Sequence, residues 1–122
     1  MIEFKSGGGL LGNKMFQVAI SLVLAKRFKR GVDFSSLLKD WRDQILPLFN
    51  IPERNNDNID LYQSHRYIRD DNINQLFELE PEEMADVEIR MRNQHFLQTD
   101  LAAKKIRENL DDIFISAPKE QD

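Results

Sequence analysis

The 122-residue chain contains no cysteine and only two histidines. Without cysteine it has no disulfide framework, no thiolate metal site and no cysteine nucleophile. The histidines, His65 and His95, lie far apart in the chain and have no metal-binding spacing such as HExxH, so we expect no metal site. The formal net charge of −4 removes any general attraction to nucleic acid, and we expect no nucleic-acid partner.

The chain also lacks an apolar run long enough to cross a bilayer. The apolar stretch over residues 15–25 contains Gln17 and Ser21 and is well short of the roughly 20 residues that a membrane-spanning helix needs. Basic residues follow this stretch, whereas in a secretory signal they precede it. We therefore expect no membrane span and no signal peptide. The compartment stays undecided, with the cytoplasm as the default.

The length suits one domain over residues 1–118, followed by a polar tail at 119–122. The apolar residues Ile2 and Phe4 alternate with polar residues, which predicts a short strand that ends at a glycine-rich loop. The apolar pattern then predicts a helix over 14–29 that is packed on more than one side and capped by Gly31. A second helix is expected from about Ser35, capped by Asp33 or Ser35 and ended near Pro47.

In the second half of the chain, the apolar pattern and the capping residues predict shorter elements. We expect a brief strand at 59–62, a short helix capped within 70–72, and a helix over 81–93 that begins with proline and acidic residues. A final helix should begin at a Thr99 or Asp100 cap, and residues 113–115 either end it or start a third strand. The fold class is therefore a helix-rich α/β domain, with a mostly α-helical domain as the alternative.

Four of the five glycines lie within residues 7–12, between the predicted first strand and first helix. Such a turn brings free backbone N–H groups to the positive end of a helix, where phosphate binds well. The spacing is not that of a P-loop, because Asn13 stands at the lysine position. The pattern Gly7-x-Gly9-x-x-Gly12 matches the dinucleotide-binding spacing, but Asp33 is the only candidate for its acidic residue, and the sequence shows no second strand there. An ordinary turn before a core helix is the alternative interpretation.

Residues 8–19, GGLLGNKMFQVA, resemble the opening G-G-L-G-N-Q-M-F-Q-x-A motif of the alpha-1,2-fucosyltransferase family. Two later stretches, LFNI at 48–51 and LYQSHRY at 61–67, are similar to family motifs that follow in the same order. The resemblance covers about residues 1–80. One leucine is inserted, because Leu10-Leu11 replaces a single residue, and Lys14 replaces the family's glutamine.

The resemblance implies the amino-terminal half of a two-domain, GT-B-like glycosyltransferase that uses GDP-fucose as donor, inverts the sugar and requires no metal cofactor. It implies a donor-binding loop that includes Gly9, Gly12, Asn13 and Lys14, with the Asn13 amide near the diphosphate. A nucleotide sugar and a glycan acceptor are the implied ligands, and no catalytic residue is identified. The family's later H-x-R-R-G-D-Y loop has no counterpart here, so transfer by this chain alone is expected to be weak or absent. The alternative function is a noncatalytic helical interaction domain that self-associates or binds a protein partner.

Overall fold

A four-stranded sheet, parallel throughout, organises the chain. The computed structural model describes residues 1–5, 11–51, 62–92 and 95–115. The strands lie in the order β2-β1-β4-β3. Their bounds are β1 Ile2–Glu3, β2 Val32–Asp33, β3 Ser64–Ile68 and β4 Val87–Met91.

Five α-helices connect or follow the strands in the described part of the chain. Within the same described ranges, two short 3-10 helices lie at Leu46–Leu48 and Pro81–Met84. The predicted helix-rich α/β class is confirmed, and the mostly α-helical alternative is wrong, because parallel strand pairing joins segments distant in sequence. The helices are α1 Leu11–Phe28, α2 Lys39–Ile45, α3 Ile73–Leu76, α4 Asp100–Glu108 and α5 Leu110–Ile113.

Helix α1 is the central helix of the core. Eleven of its 18 residues are buried, as expected for a helix with apolar residues around most of its circumference. It packs against β2, α4 and α5. Its end differs from the predicted Gly31 cap, because α1 ends at Phe28 and Lys29 adopts the left-handed conformation with φ of 56°. The Arg30 N–H then donates to the Ala25 carbonyl at 2.8 Å, which closes the last turn of the helix.

The predicted helix from Ser35 is wrong at its start. Residues 32–33 form β2, which pairs with β1 in the register Ile2↔Val32 and Glu3↔Asp33. Helix α2 begins only at Lys39 and has no side-chain cap. The two-residue strand is too short to produce a periodic signal. It is a strand only because the chain returns along α1 and places residues 32–33 beside β1.

The predicted helix over 81–93 is also wrong. The expected proline and acidic residues are joined by a capping box between Glu80 and Glu83, but together they support only the 3-10 turn at Pro81–Met84. The chain then extends as β4, in which Ile89 and Met91 face the core while Arg90 faces the other side of the sheet. Pairing with β1 on one side and β3 on the other outweighs the helix-start signal.

The remaining elements follow the predictions more closely. The predicted strand at 59–62 lies mostly outside the described residues, and β3 begins two residues beyond Tyr62. The short helix α3 starts after Asn72, and α4 starts after Thr99, whose hydroxyl accepts from the Ala102 N–H at 3.0 Å. Helix α5 ends at Ile113, and Phe114 then forms one antiparallel bridge with Phe49.

The buried apolar residues form one connected core on the α1 side of the sheet. Ile2 and Phe4 are fully buried there, whereas Glu3 between them points to the opposite face. That outer face is polar, because the register aligns Glu3 with Asp33 and Arg90. The sheet therefore has one apolar and one charged face in the described part of the chain.

Candidate functional site

The strand order creates a crevice at the carboxyl ends of β1 and β4. From β1 the chain crosses through α1 to β2 on one side, whereas β4 pairs with β1 on the other side. Open parallel sheets bind ligands at such a switch in direction, just beyond the carboxyl ends of the strands. The first turns of α1 and residues 95–99 after β4 both lie at this end of the sheet. We call this place the switch crevice.

Asn13 connects the two sides of the switch crevice. It lies in the first turn of α1, and its Oδ1 accepts a hydrogen bond from Gln98 Nε2 at 2.7 Å. The side chain is half-buried. Within the described residues its amide nitrogen has no hydrogen-bond partner, so two N–H donors remain for a ligand at the positive end of α1.

Gly12 lies beside Asn13 within the helix and is exposed. A methyl group added at its Cα would meet no atom within 4 Å. Glycine is therefore not required by packing in this structure, and its bare backbone leaves room for close approach by a ligand. The other predicted glycine contact, Gly9, lies outside the described residues.

Lys14 points into the protein. The residue is only 6% exposed, and its Nζ lies 5.2 Å from the centroid of the Trp41 ring. This cation–π contact joins α1 to α2. The ammonium group is therefore held between the two helices in this structure.

A polar cluster that sequence analysis did not identify supports the segment after β4. Gln17, fully buried in α1, donates through Nε2 to the His95 carbonyl at 2.7 Å. Asp70 Oδ1 accepts from the Leu97 N–H at 2.7 Å. The sequence signal was Gln17 itself, a polar residue in an otherwise apolar stretch, because buried amides need specific partners.

The imidazole of His95 also contacts Asp70. Its Nδ1 lies 3.2 Å from both the backbone nitrogen and the Oδ2 of Asp70. An unprotonated Nδ1 accepts from the N–H, and a protonated Nδ1 donates to the carboxylate, so either state of the ring has a partner. Leu97 is fully buried with φ of 64°, a conformation that costs a leucine about 1 kcal/mol. The Asp70 contact thus stabilises a strained backbone beside the switch crevice.

The described residues contain no group of three or more histidines, aspartates or glutamates arranged to hold a metal ion. No helix in the described ranges has both the length and the apolar character required to cross a membrane. Comparison with known proteins returned no matching family model, no similar curated protein and no similar solved structure. The geometry of the switch crevice and the motif at residues 8–19 are therefore the two features that bear on function.

Proposed function

We propose that this chain is the nucleotide-sugar-binding, amino-terminal half of a fucosyltransferase-like protein, with the donor diphosphate at the Gly12–Asn13 end of α1. The observation that carries the proposal is the Asn13 amide, whose nitrogen has no partner among the described residues at a parallel-sheet switch crevice. GDP-fucose as donor, a glycan as acceptor and a GT-B-like whole protein come from the resemblance of residues 8–19.

The chemistry required of this site is stabilisation of negative charge. When a sugar leaves a nucleoside diphosphate, charge grows on the leaving phosphate, and oriented N–H donors stabilise it. The Asn13 amide and the positive end of the 18-residue α1 supply such donors. Lys14 acts indirectly in this proposal, because its contact with Trp41 orients the first turn of α1 against α2.

The same geometry supports weak or absent transfer by the chain alone. Neutral amide donors hold a diphosphate less strongly than an arginine fork, and the motif that supplies an arginine pair in the family has no counterpart in this sequence. Binding of donor is therefore the activity to measure first.

Isothermal titration calorimetry with GDP-fucose and with GDP tests the proposal. Asn13→Ala should weaken binding of both by about 10-fold or more, since a hydrogen bond to a charged group contributes about 1.5–3 kcal/mol. Gln98→Ala is the matched control, because it removes the contact to Asn13 Oδ1 and leaves the amide donors in place. Unchanged affinity in Asn13→Ala, or no binding to the folded wild-type chain, would refute the role assigned to this site.

A second candidate function, protein interaction by self-association, is favoured by one exposed apolar patch. Leu48, Ile51, Leu110 and Ile115 are each 38–52% exposed. They lie along the Phe49–Phe114 bridge, where the Ile115 N–H donates to the Leu48 carbonyl at 3.0 Å. Exposed apolar groups clustered in this way are typical of interfaces.

Sedimentation velocity over a range of protein concentrations tests this second function. Leu48→Asp should abolish a concentration-dependent dimer. Leu38→Asp is the control, because Leu38 is 71% exposed but lies at the other end of α2. A monomer at all concentrations would exclude self-association.

A further inference from the structure

His95 lies in the switch crevice, close to the first two turns of α1. Gln98 donates to Asn13, and Gln17 donates to the His95 carbonyl, so two hydrogen bonds join the segment after β4 to this helix. Asn13 and Gln17 are four residues apart, which places the two contacts about 6 Å apart along α1. The His95 side chain is 24% exposed, and among the described residues its Nε2 has no hydrogen-bond partner. This ring nitrogen is therefore available to a ligand.

Asp70 determines how the His95 ring carries a proton. In the neutral ring Nδ1 accepts from the Asp70 backbone N–H at 3.2 Å, so Nε2 carries the hydrogen. An added proton goes to Nδ1, which then donates to Asp70 Oδ2 at 3.2 Å. The other carboxylate oxygen, Oδ1, accepts from the Leu97 N–H at 2.7 Å and keeps the carboxylate oriented. Nε2–H is thus a donor in both states, and only the charge of the ring changes.

The charged residues around His95 balance one another while the ring is neutral. The ring contacts the turn at 69–72, and the His95 backbone contacts α1. Each cation on these and the adjoining segments lies against a partner: Lys5 against Glu3, Lys14 against the Trp41 ring, Arg69 against Asp71, and Arg92 against the Tyr67 ring. The carboxylates are equal in number, and they are Glu3, Asp70, Asp71 and Asp100. Protonation of His95 therefore changes this balance by one positive charge.

We propose that His95 is a proton-dependent ligand of the diphosphate, with its Nε2–H donating to a phosphate oxygen. The inference rests on the proposed function, because it assigns His95 to the diphosphate at the Gly12–Asn13 end of α1. A hydrogen bond from an imidazolium to a phosphate is charge-assisted and about twice as strong as one from a neutral ring. His95 supplies the positive charge that the Asn13 amide lacks. Histidine changes its charge between about pH 5 and 8, so affinity should rise as the pH falls through this range.

Calorimetric titration of GDP-fucose at about pH 6 and about pH 8 tests the role of His95. Each phosphate of GDP-fucose carries one strongly acidic group, so the charge of the ligand is constant over this range, whereas the terminal phosphate of GDP titrates. The wild-type chain should bind about 5- to 10-fold more tightly at the lower pH. His95→Gln should bind equally at both pH values. His65→Gln is the matched control and should keep the preference, because His65 is the other histidine of the chain and is exposed in β3.

NMR of the histidine ring provides a second measurement that leaves His95 unchanged. In His65→Gln the remaining histidine signal belongs to His95, because the chain has only two histidines. GDP-fucose, and pyrophosphate as a probe of the diphosphate alone, should each shift this signal at about pH 6. This measurement decides the assignment even if His95→Gln does not fold.

Equal wild-type affinity at the two pH values, or an unchanged pH dependence in His95→Gln, would overturn the role of His95. A His95 signal that neither ligand shifts would also overturn it. The two proposals fail separately. If Asn13→Ala weakens a GDP-fucose binding that does not depend on pH, the proposed function stands and the His95 assignment falls. If pyrophosphate shifts the His95 signal while GDP-fucose does not bind, the anion site stands and the nucleotide-sugar function falls. No binding of either ligand overturns both.

Discussion

Substitution of Gly12 by alanine should change stability and binding in opposite directions. Gly12 is the second residue of α1, and a methyl group at its Cα meets no atom within 4 Å. Alanine in a helix is favoured over glycine by about 0.5–1 kcal/mol, with the lower value expected in the first turn. We therefore expect a gain of about 0.5 kcal/mol in the free energy of unfolding and a rise of about 2 °C in Tm.

The same methyl group should weaken binding of GDP. In the proposed site a phosphate oxygen approaches the bare backbone at Gly12, so the space that is empty in the structure is filled by the ligand in the complex. A displaced phosphate loses at least one N–H contact, and we expect affinity to fall about 10-fold, or about 1.4 kcal/mol.

Thermal unfolding followed by circular dichroism, together with calorimetric titration of GDP, measures both effects. Leu11→Ala is the control, because Leu11 is exposed in the same turn and its change adds nothing at position 12. A higher Tm with unchanged affinity would refute the close approach of the ligand to Gly12. A lower Tm would refute the inference that the first turn of α1 has room for a side chain.

Two further predictions concern stability and are checked by urea unfolding. Asn72→Ala should lower the free energy of unfolding by about 2 kcal/mol, because the buried side chain accepts from the Arg69 N–H at 2.7 Å and donates to the Tyr67 carbonyl at 2.8 Å. The neighbouring exposed variant Gln75→Ala is its control, and equal losses in the two variants would contradict the role of Asn72. Lys29→Gly should raise stability by about 1 kcal/mol, because Lys29 has φ of 56° and an exposed side chain. Loss of stability in this variant would show that the lysine side chain outweighs the backbone cost.

Much of the fold was predictable wherever a segment carried its own signal. The apolar residues of α1 predicted a buried helix, and Thr99 predicted the start of α4. The predictions were wrong where pairing with neighbouring strands determines the backbone conformation. Residues 87–91 form a strand because they lie between β1 and β3, although the acidic turn before them predicts a helix start.

The candidate site was predictable only in part, for a similar reason. Gly12 and Asn13, which the motif predicts as ligand contacts, lie in the first turn of α1 at the switch crevice, and their contact with a ligand stays a prediction. The motif predicts Lys14 at the ligand as well, which also stays a prediction; in the structure its Nζ lies over the Trp41 ring. Sequence spacing fixes which residues are adjacent along a helix, whereas the direction of a long side chain depends on the neighbouring elements.

The sequence by itself determined the local elements: a short first strand, a largely buried helix after the glycines, and a capped helix near the carboxyl end. These elements depend on apolar periodicity and capping, and both signals lie within a few residues of each other in the sequence. The tertiary structure alone decided that residues 32–33 and 87–91 are strands and that Asp33 ends one of them. It also brought Gln98 to Asn13 across 85 positions of the chain. Such pairings depend on contacts between distant segments, and no local pattern encodes them.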